Sequence, residues 1–179
     1  MARRKPINAR RGSIKSMPRA PKVLSAGERQ GRPVADTVIL DYAQRSAGKG
    51  AAKTVKGVMI DIDLHQPVRL RTDDILLLDD DTLVEVVAAP EPLVEARAAD
   101  LAALARLAWH LGDRHVLVQV LNNRIRAKRD AAVETLLRSL GAKETPIEAP
   151  FEPEGGAYES HAHDHDHAHS HHGHHHHDH

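Results

Sequence analysis

Between Leu101 and Leu121 the apolar residues change their period, and that change limits what this part of the chain can be. Leu101, Leu104, Ala108 and Leu111 recur at helical spacing behind Asp100, a side-chain N-cap candidate, so residues 101 to 111 are predicted as a helix. Gly112 stands where a left-handed C-terminal cap is wanted, which ends the helix there. Val116, Val118 and Val120 then alternate with Leu117, Gln119 and Leu121, the period-two pattern of a strand. The run His110-Leu111-Gly112-Asp113-Arg114-His115 therefore joins helix to strand and holds His115 at the strand entrance.

The surrounding pattern extends this into a unit. Leu93 to Ala98 reads as a strand, Asn122-Asn123 as a turn and Ile125 to Lys128 as a hairpin partner. Asp130 caps a second helix with Val133, Leu136, Leu137 and Leu140 on one face, which Gly141 ends. A last strand near Thr145 to Ala149 completes β-α-β-β-α-β, a ferredoxin-like order. Upstream, Val58, Ile60, Ile62 and Leu64 alternate with polar residues. The runs from Ile75 and from Leu83 flank an Asp79-Asp80-Asp81-Thr82 hairpin connection, so a small β-barrel or sandwich is expected. The expected class is α+β: a basic disordered arm over 1–35, a β-rich domain over 36–90, a ferredoxin-like metal-binding domain over 91–150 and a disordered histidine-rich tail over 151–179. Ala89-Pro90-Glu91-Pro92 is read as the hinge, Gln44 to Lys53 as a mobile loop, and Met17-Pro18 as an alternative start.

The formal charge of zero conceals a segregated chain. Residues 1–35 carry ten Lys or Arg against one Glu, while residues 142–179 carry eight Asp or Glu against one Lys. There is no cysteine, so disulfides, thiolate metal sites and cysteine nucleophiles are excluded, and any metal must use nitrogen and oxygen ligands. From His161 onward twelve of nineteen residues are histidine: His161, His163, His165, His167, His169, His171, His172, His174, His175, His176, His177 and His179. Neutral imidazole suits Ni²⁺, Cu²⁺ and Zn²⁺, so this tract has high capacity for such ions. A single defined site needs a better-fixed ligand, and His115 is the candidate. His110, in the helix's last turn, reads as a favourable partner of the helix dipole, His65 as a turn residue, and Trp109 as core or dimer-interface packing.

The run Trp109 to Gln119, the segment Glu152-Pro153-Glu154-Gly155-Gly156-Ala157-Tyr158 and the histidine-rich end together resemble the UreE family of urease accessory proteins, which are nickel metallochaperones. The family motif reads roughly H-L-G-N-R-H, and this chain has H-L-G-D-R-H, with Asp113 in place of Asn. Over about residues 36–179 the resemblance implies a β-rich domain followed by a ferredoxin-like one. It also implies a homodimer in which His115 of each subunit binds a shared Ni²⁺, passed through the GTPase UreG to a urease assembly with UreD and UreF. Arg129-Asp130-Ala131 stands where some relatives carry further histidines, so those ligands are not carried over.

Other classes find no support in the residues. Gly48-Lys49-Gly50 lacks the earlier glycine of a phosphate loop, and the Asp73-Asp74 and Asp79-Asp80-Asp81 runs lack the spacing of a calcium loop and read as turns. No HExxH motif is present and no Ser, His and acid arrangement is identifiable, so an enzyme is not expected. No apolar run approaches the roughly 20 residues of a membrane span, so membrane is not a predicted partner and a cytoplasmic protein is. Nucleic acid is not expected to bind the basic arm, which lacks aromatic stacking residues. The competing function is a nickel or zinc storage and tolerance protein that relies on the tail alone.

Overall fold

A computed structural model describes residues 17–65 and 68–155. The N-terminal unit contains β1 (Arg19–Ala20), β2 (Lys22–Leu24), β3 (Asp36–Leu40), α1 (Tyr42–Ala47), β4 (Lys49–Lys53), β5 (Met59–Asp63), β6 (Ile75–Leu77) and β7 (Leu83–Ala88). They form two sheets, β1-β5-β4 and β2-β6-β7-β3, which share one core through Ala20, Val38, Leu40, Ile60, Ile62, Leu76, Val84 and Val86. The strand alternation has Ile60, Ile62 and Leu64 buried against the opposite sheet, while Val58, ahead of β5, is exposed. Both aspartate runs lie at turns, with Asp73 at φ 72° and Asp81 at φ 64°.

The barrel alternative is not realised, because the sheet does not close. At one corner the chain passes from β1 to β2 through Pro21, which has no N–H to give, and at another the sheets touch only by the isolated Val38–Thr54 bridge. The expected arm contributes structure from Arg19 onward, since β1 pairs with β5 and β2 with β6. The expected mobile loop is α1 followed by β4. Asp41 caps α1 by accepting from the Gln44 N–H at 2.8 Å, and Gln44 Oε1 accepts from the Asp41 N–H at 3.0 Å.

The C-terminal unit comprises β8 (Pro90–Arg97), α2 (Leu101–Asp113), β9 (Val118–Leu121), β10 (Arg124–Lys128), α3 (Ala131–Ser139) and β11 (Lys143–Pro150). Its antiparallel sheet runs β11-β8-β10-β9. One face packs against both helices through Val94, Ala96, Leu104, Leu107, Leu111, Ile125, Ala127 and Leu137. The caps are those expected: Asp100 accepts from Ala103 N–H at 2.7 Å, and Asp130 from Ala132 and Val133 N–H at 2.8 and 3.2 Å. Leu101 is 73% exposed in the first turn of α2, and Leu107 takes its place in the core. The expected hinge is strand, because β11 pairs along all of β8 while β10 reaches only Leu93 to Ala96. Pro90 and Pro92 lie beyond the register of β10, where among the described residues only the Pro92 carbonyl is engaged on that side, accepting from the Arg129 N–H at 3.1 Å, so their missing N–H groups remove no rung of β10.

The two units meet at a small seam. Tyr42 and Phe151 contact edge to face with centroids 5.7 Å apart, beside buried Leu93. Arg45 of α1 is fully buried here; it donates to the Phe151 carbonyl at 2.6 Å and the Leu70 carbonyl at 3.2 Å, and pairs with Glu152 at 2.9 Å. No helix among the described residues is long and apolar enough to cross a membrane.

Candidate metal centre

His115 owes its position to the way α2 stops. Arg114 leaves the helix at φ −96° and His115 turns to φ 56°. The His115 N–H donates to the Gly112 carbonyl at 2.9 Å, and the Val116 N–H donates to the Leu111 carbonyl at 3.0 Å. These two bonds form a Schellman cap, which occupies carbonyls that the helix would otherwise leave open. Helix α3 ends the same way: Gly141 bonds Arg138 and Ala142 bonds Leu137, both at 3.0 Å, with Gly141 at φ 76°. Where α3 uses a residue without a Cβ, α2 uses an imidazole, in a conformation that costs an L-residue roughly 1 kcal/mol or more.

The left-handed position is thus His115, not Gly112, which lies inside α2. Val116 draws the cap to this point. It packs against the core that holds fully buried Leu111, and such an apolar contact accompanies the Schellman closure. The reversal leaves the His115 side chain exposed, with no hydrogen bond or ion pair among the described residues. Arg114 braces the helix end: its Nη1 donates to the His110 carbonyl at 3.0 Å and lies 3.7 Å from the Asp113 carboxylate. The His110 ring meets Trp109 edge to face at 5.0 Å. Trp109 is 65% exposed and so is not core packing, and Leu117 and Val120 near it in sequence are exposed as well.

A second feature of the site was not legible as tail. Residues 151–155 are a strap across the seam, anchored at its start by fully buried Phe151. Arg69 donates to the Pro153 carbonyl at 2.9 Å. At the edge of β9 the Glu154 N–H donates to the Val118 carbonyl at 2.7 Å, and its carboxylate accepts from the Val120 N–H at 3.3 Å. The chain is therefore fixed to β9 only three residues beyond His115, at Glu154, seven positions ahead of His161. The signal that could have found the strap is Phe151 itself, the one phenylalanine in the chain.

Among the described residues no group of three or more His, Asp, Glu or Cys side chains is placed to hold a metal ion. His115 is not joined by His110, whose ring contacts Trp109, nor by His65, which is exposed in the N-terminal unit. The twelve tail histidines from His161 to His179 lie outside the described residues. Among the described residues His115 is a solvent-facing imidazole mounted on a capped helix end, and a single such ligand holds a divalent ion only weakly.

Comparison with known proteins adds the family. The UreE urease accessory protein N-terminal domain matches residues 19–89, and the corresponding C-terminal domain matches residues 91–179. The chain is 49% identical over 126 residues to a urease accessory protein UreE of Rhodopseudomonas palustris, covering 70% of this chain and 59% of the relative. It is 48% identical over 148 residues to UreE of a Bradyrhizobium species, covering 82% and 71%, and 44% identical over 142 residues to UreE of Beijerinckia indica, covering 79% and 82%. In two Rhodopseudomonas palustris relatives the matched region spans 59% of their length. With both domain matches in sequence order along the chain, the protein belongs to the UreE urease accessory protein family.

Proposed function

We propose that the protein is a cytoplasmic nickel chaperone for urease maturation, with Ni²⁺ as cargo. The observation that carries this reading is His115: exposed, fixed in a Schellman cap, and without companion ligands among the described residues. A site of that kind is completed from outside the chain's own fold. A two-fold axis beside His115 brings two equivalent imidazoles to one ion, and exposed Trp109, Leu117 and Val120 supply apolar surface for such a homodimer. The strap brings the chain as far as Glu154 beside the same strand, and the histidine-rich sequence that follows from His161 can gather ions and contribute further ligands.

Transfer proceeds by ligand exchange, with no covalent chemistry on the cargo. By family likeness the recipient is the GTPase UreG and, beyond it, the urease assembly with UreD and UreF. Cu²⁺ binds imidazole more tightly than Ni²⁺, and Zn²⁺ also competes, so selectivity rests on metal availability and on the recipient. Imidazole binds metal only in its neutral form, so nickel affinity falls on acidification.

Calorimetric nickel titration of the full chain, a chain truncated after Ser160 and the His115→Ala variant tests the reading. Truncation is expected to lower the number of ions bound while leaving one dimer-linked site, which His115→Ala removes. If truncation abolishes all binding and urease activation while His115→Ala changes neither, the protein is a storage and tolerance protein instead.

A further inference from the structure

The sheet of the C-terminal unit has a second face, away from α2 and α3, that metal binding does not use. Arg124 and Arg126 flank core residue Ile125, and Glu95 and Arg97 flank core residue Ala96, so all four project onto this open face. Lys143 and Thr145 join them, opposite Arg97 and Glu95 respectively. The α1 seam and the strap occupy the other end of the face, where Leu93, Ile147 and Phe151 meet Tyr42. The acidic residues there are engaged elsewhere: Glu91 with Lys128, Glu152 with Arg45, and Glu154 with the Val120 N–H.

At the free end three guanidinium groups converge on one carboxylate. Arg126 Nε and Arg124 Nε each lie 3.0 Å from Glu95 Oε2, and Arg97 Nη2 lies 3.0 Å from Glu95 Oε1. With Lys143, four cations face a single carboxylate. Their donors are far from spent: Arg126 uses only Nε among the described residues, of the five N–H groups a guanidinium carries. Glu95 holds the planar groups side by side, which lowers the ordering cost of bidentate contacts to incoming carboxylates.

We propose that this end of the open face is a docking surface for an acidic peptide segment of another protein, whose carboxylates are taken up by Arg97, Arg124 and Arg126 with Lys143 at the rim. Charge complementarity is the argument. An excess of guanidinium on a flat sheet face fits an extended chain with acidic residues at alternate positions. A nucleic acid would call for stacking surfaces, and the described aromatics lie elsewhere: Tyr42 and Phe151 in the seam, Trp109 on α2.

The test uses the full chain, a fluorescent alternating Glu-Gly peptide, its Gln-Gly counterpart and a short single-stranded oligonucleotide, all at low ionic strength. Binding is read by polarisation and located by amide chemical-shift changes. The Glu-Gly peptide is expected to shift amides of β8, β10 and Lys143, and the Gln-Gly peptide to leave them unmoved. Arg97→Gln with Lys143→Gln, both at exposed positions, should weaken binding about fivefold. Arg10→Gln with Arg11→Gln in the basic N-terminal stretch should leave the β8 and β10 shifts in place. The proposal is overturned if shifts are confined to residues 1–35, if the Arg97 and Lys143 variant binds as well as the parent, or if the oligonucleotide outcompetes the peptide at the same amides.

Discussion

Replacing His115 by glycine, alanine and valine separates what the residue does for the fold from the metal-ligand role proposed for it. All three remove the imidazole, but they differ in what they cost at φ 56°. A left-handed conformation costs an L-residue about 1 to 2 kcal/mol, and histidine tolerates it better than most, so the parent carries about 1 kcal/mol. Glycine removes that cost but loses about 0.5 kcal/mol through its freer unfolded chain, for a net gain near 0.5 kcal/mol. Alanine keeps the strain and should match the parent within about 0.5 kcal/mol, because the exposed ring makes no hydrogen bond or ion pair among the described residues to lose. Valine, branched at Cβ, should lose about 1.5 kcal/mol. The glycine-to-valine gap of about 2 kcal/mol corresponds to roughly thirtyfold in the folding equilibrium. Urea denaturation with a chelator present measures it, with equal slopes as the check on a common unfolded state. Glycine as unstable as valine would refute the strained cap, and a nickel site retained by any of the three in a chain truncated after Ser160 would refute the ligand role.

Two further perturbations address the rest of the molecule. Arg45→Met leaves the Phe151 and Leu70 carbonyls without their donor and Glu152 without its partner, so about 3 kcal/mol of stability should disappear in urea denaturation; a loss under about 1 kcal/mol contradicts the seam as described. Glu95 feels two opposing influences: burial raises its pKa, but hydrogen bonds from Arg126 and Arg97 and attraction by Arg124 outweigh it and hold the carboxyl below its ordinary value of 4.5. Its contribution is therefore full above about 4.5 and drains as pH falls through the lowered folded value. Glu95→Gln should flatten that part of the acid-unfolding curve, and an unchanged curve would show that the carboxylate gains nothing from its arginines.

Much of this was legible where the pattern was strong. The caps at Asp100 and Asp130, the β-α-β-β-α-β order and the placement of His115 between α2 and β9 follow from periodicity and side-chain chemistry local to each element. Legibility failed where structure depends on distant residues. The strands β1 and β2 have two and three residues, too few to show a period, and exist because β5 and β6 pair with them. Strand β4 buries only Ala52, so its Lys-Gly-Ala-Ala-Lys sequence has no apolar alternation to see. The shift of the left-handed position from Gly112 to His115 turns on Val116 packing into the core, which spacing alone does not reveal. Nor does the low apolar content after Phe151 disclose that this buried ring, with the bonds at Glu152, Pro153 and Glu154, holds the following residues in place.

The hold of Glu154 on β9 also governs how any visitor can approach. An outer strand normally exposes a row of amides and carbonyls that invites a further strand to add on. Here Glu154 already occupies the Val118 carbonyl and the Val120 amide, and at the opposite margin Pro146 and Pro150 of β11 have no amide hydrogen to offer. Growth of the sheet sideways is discouraged at both borders. On the proposed function, the route left to a second subunit or a recipient protein at His115 is over the end of α2, through side chains, and a fragment cut before Phe151 would uncover β9 and be prone to self-association.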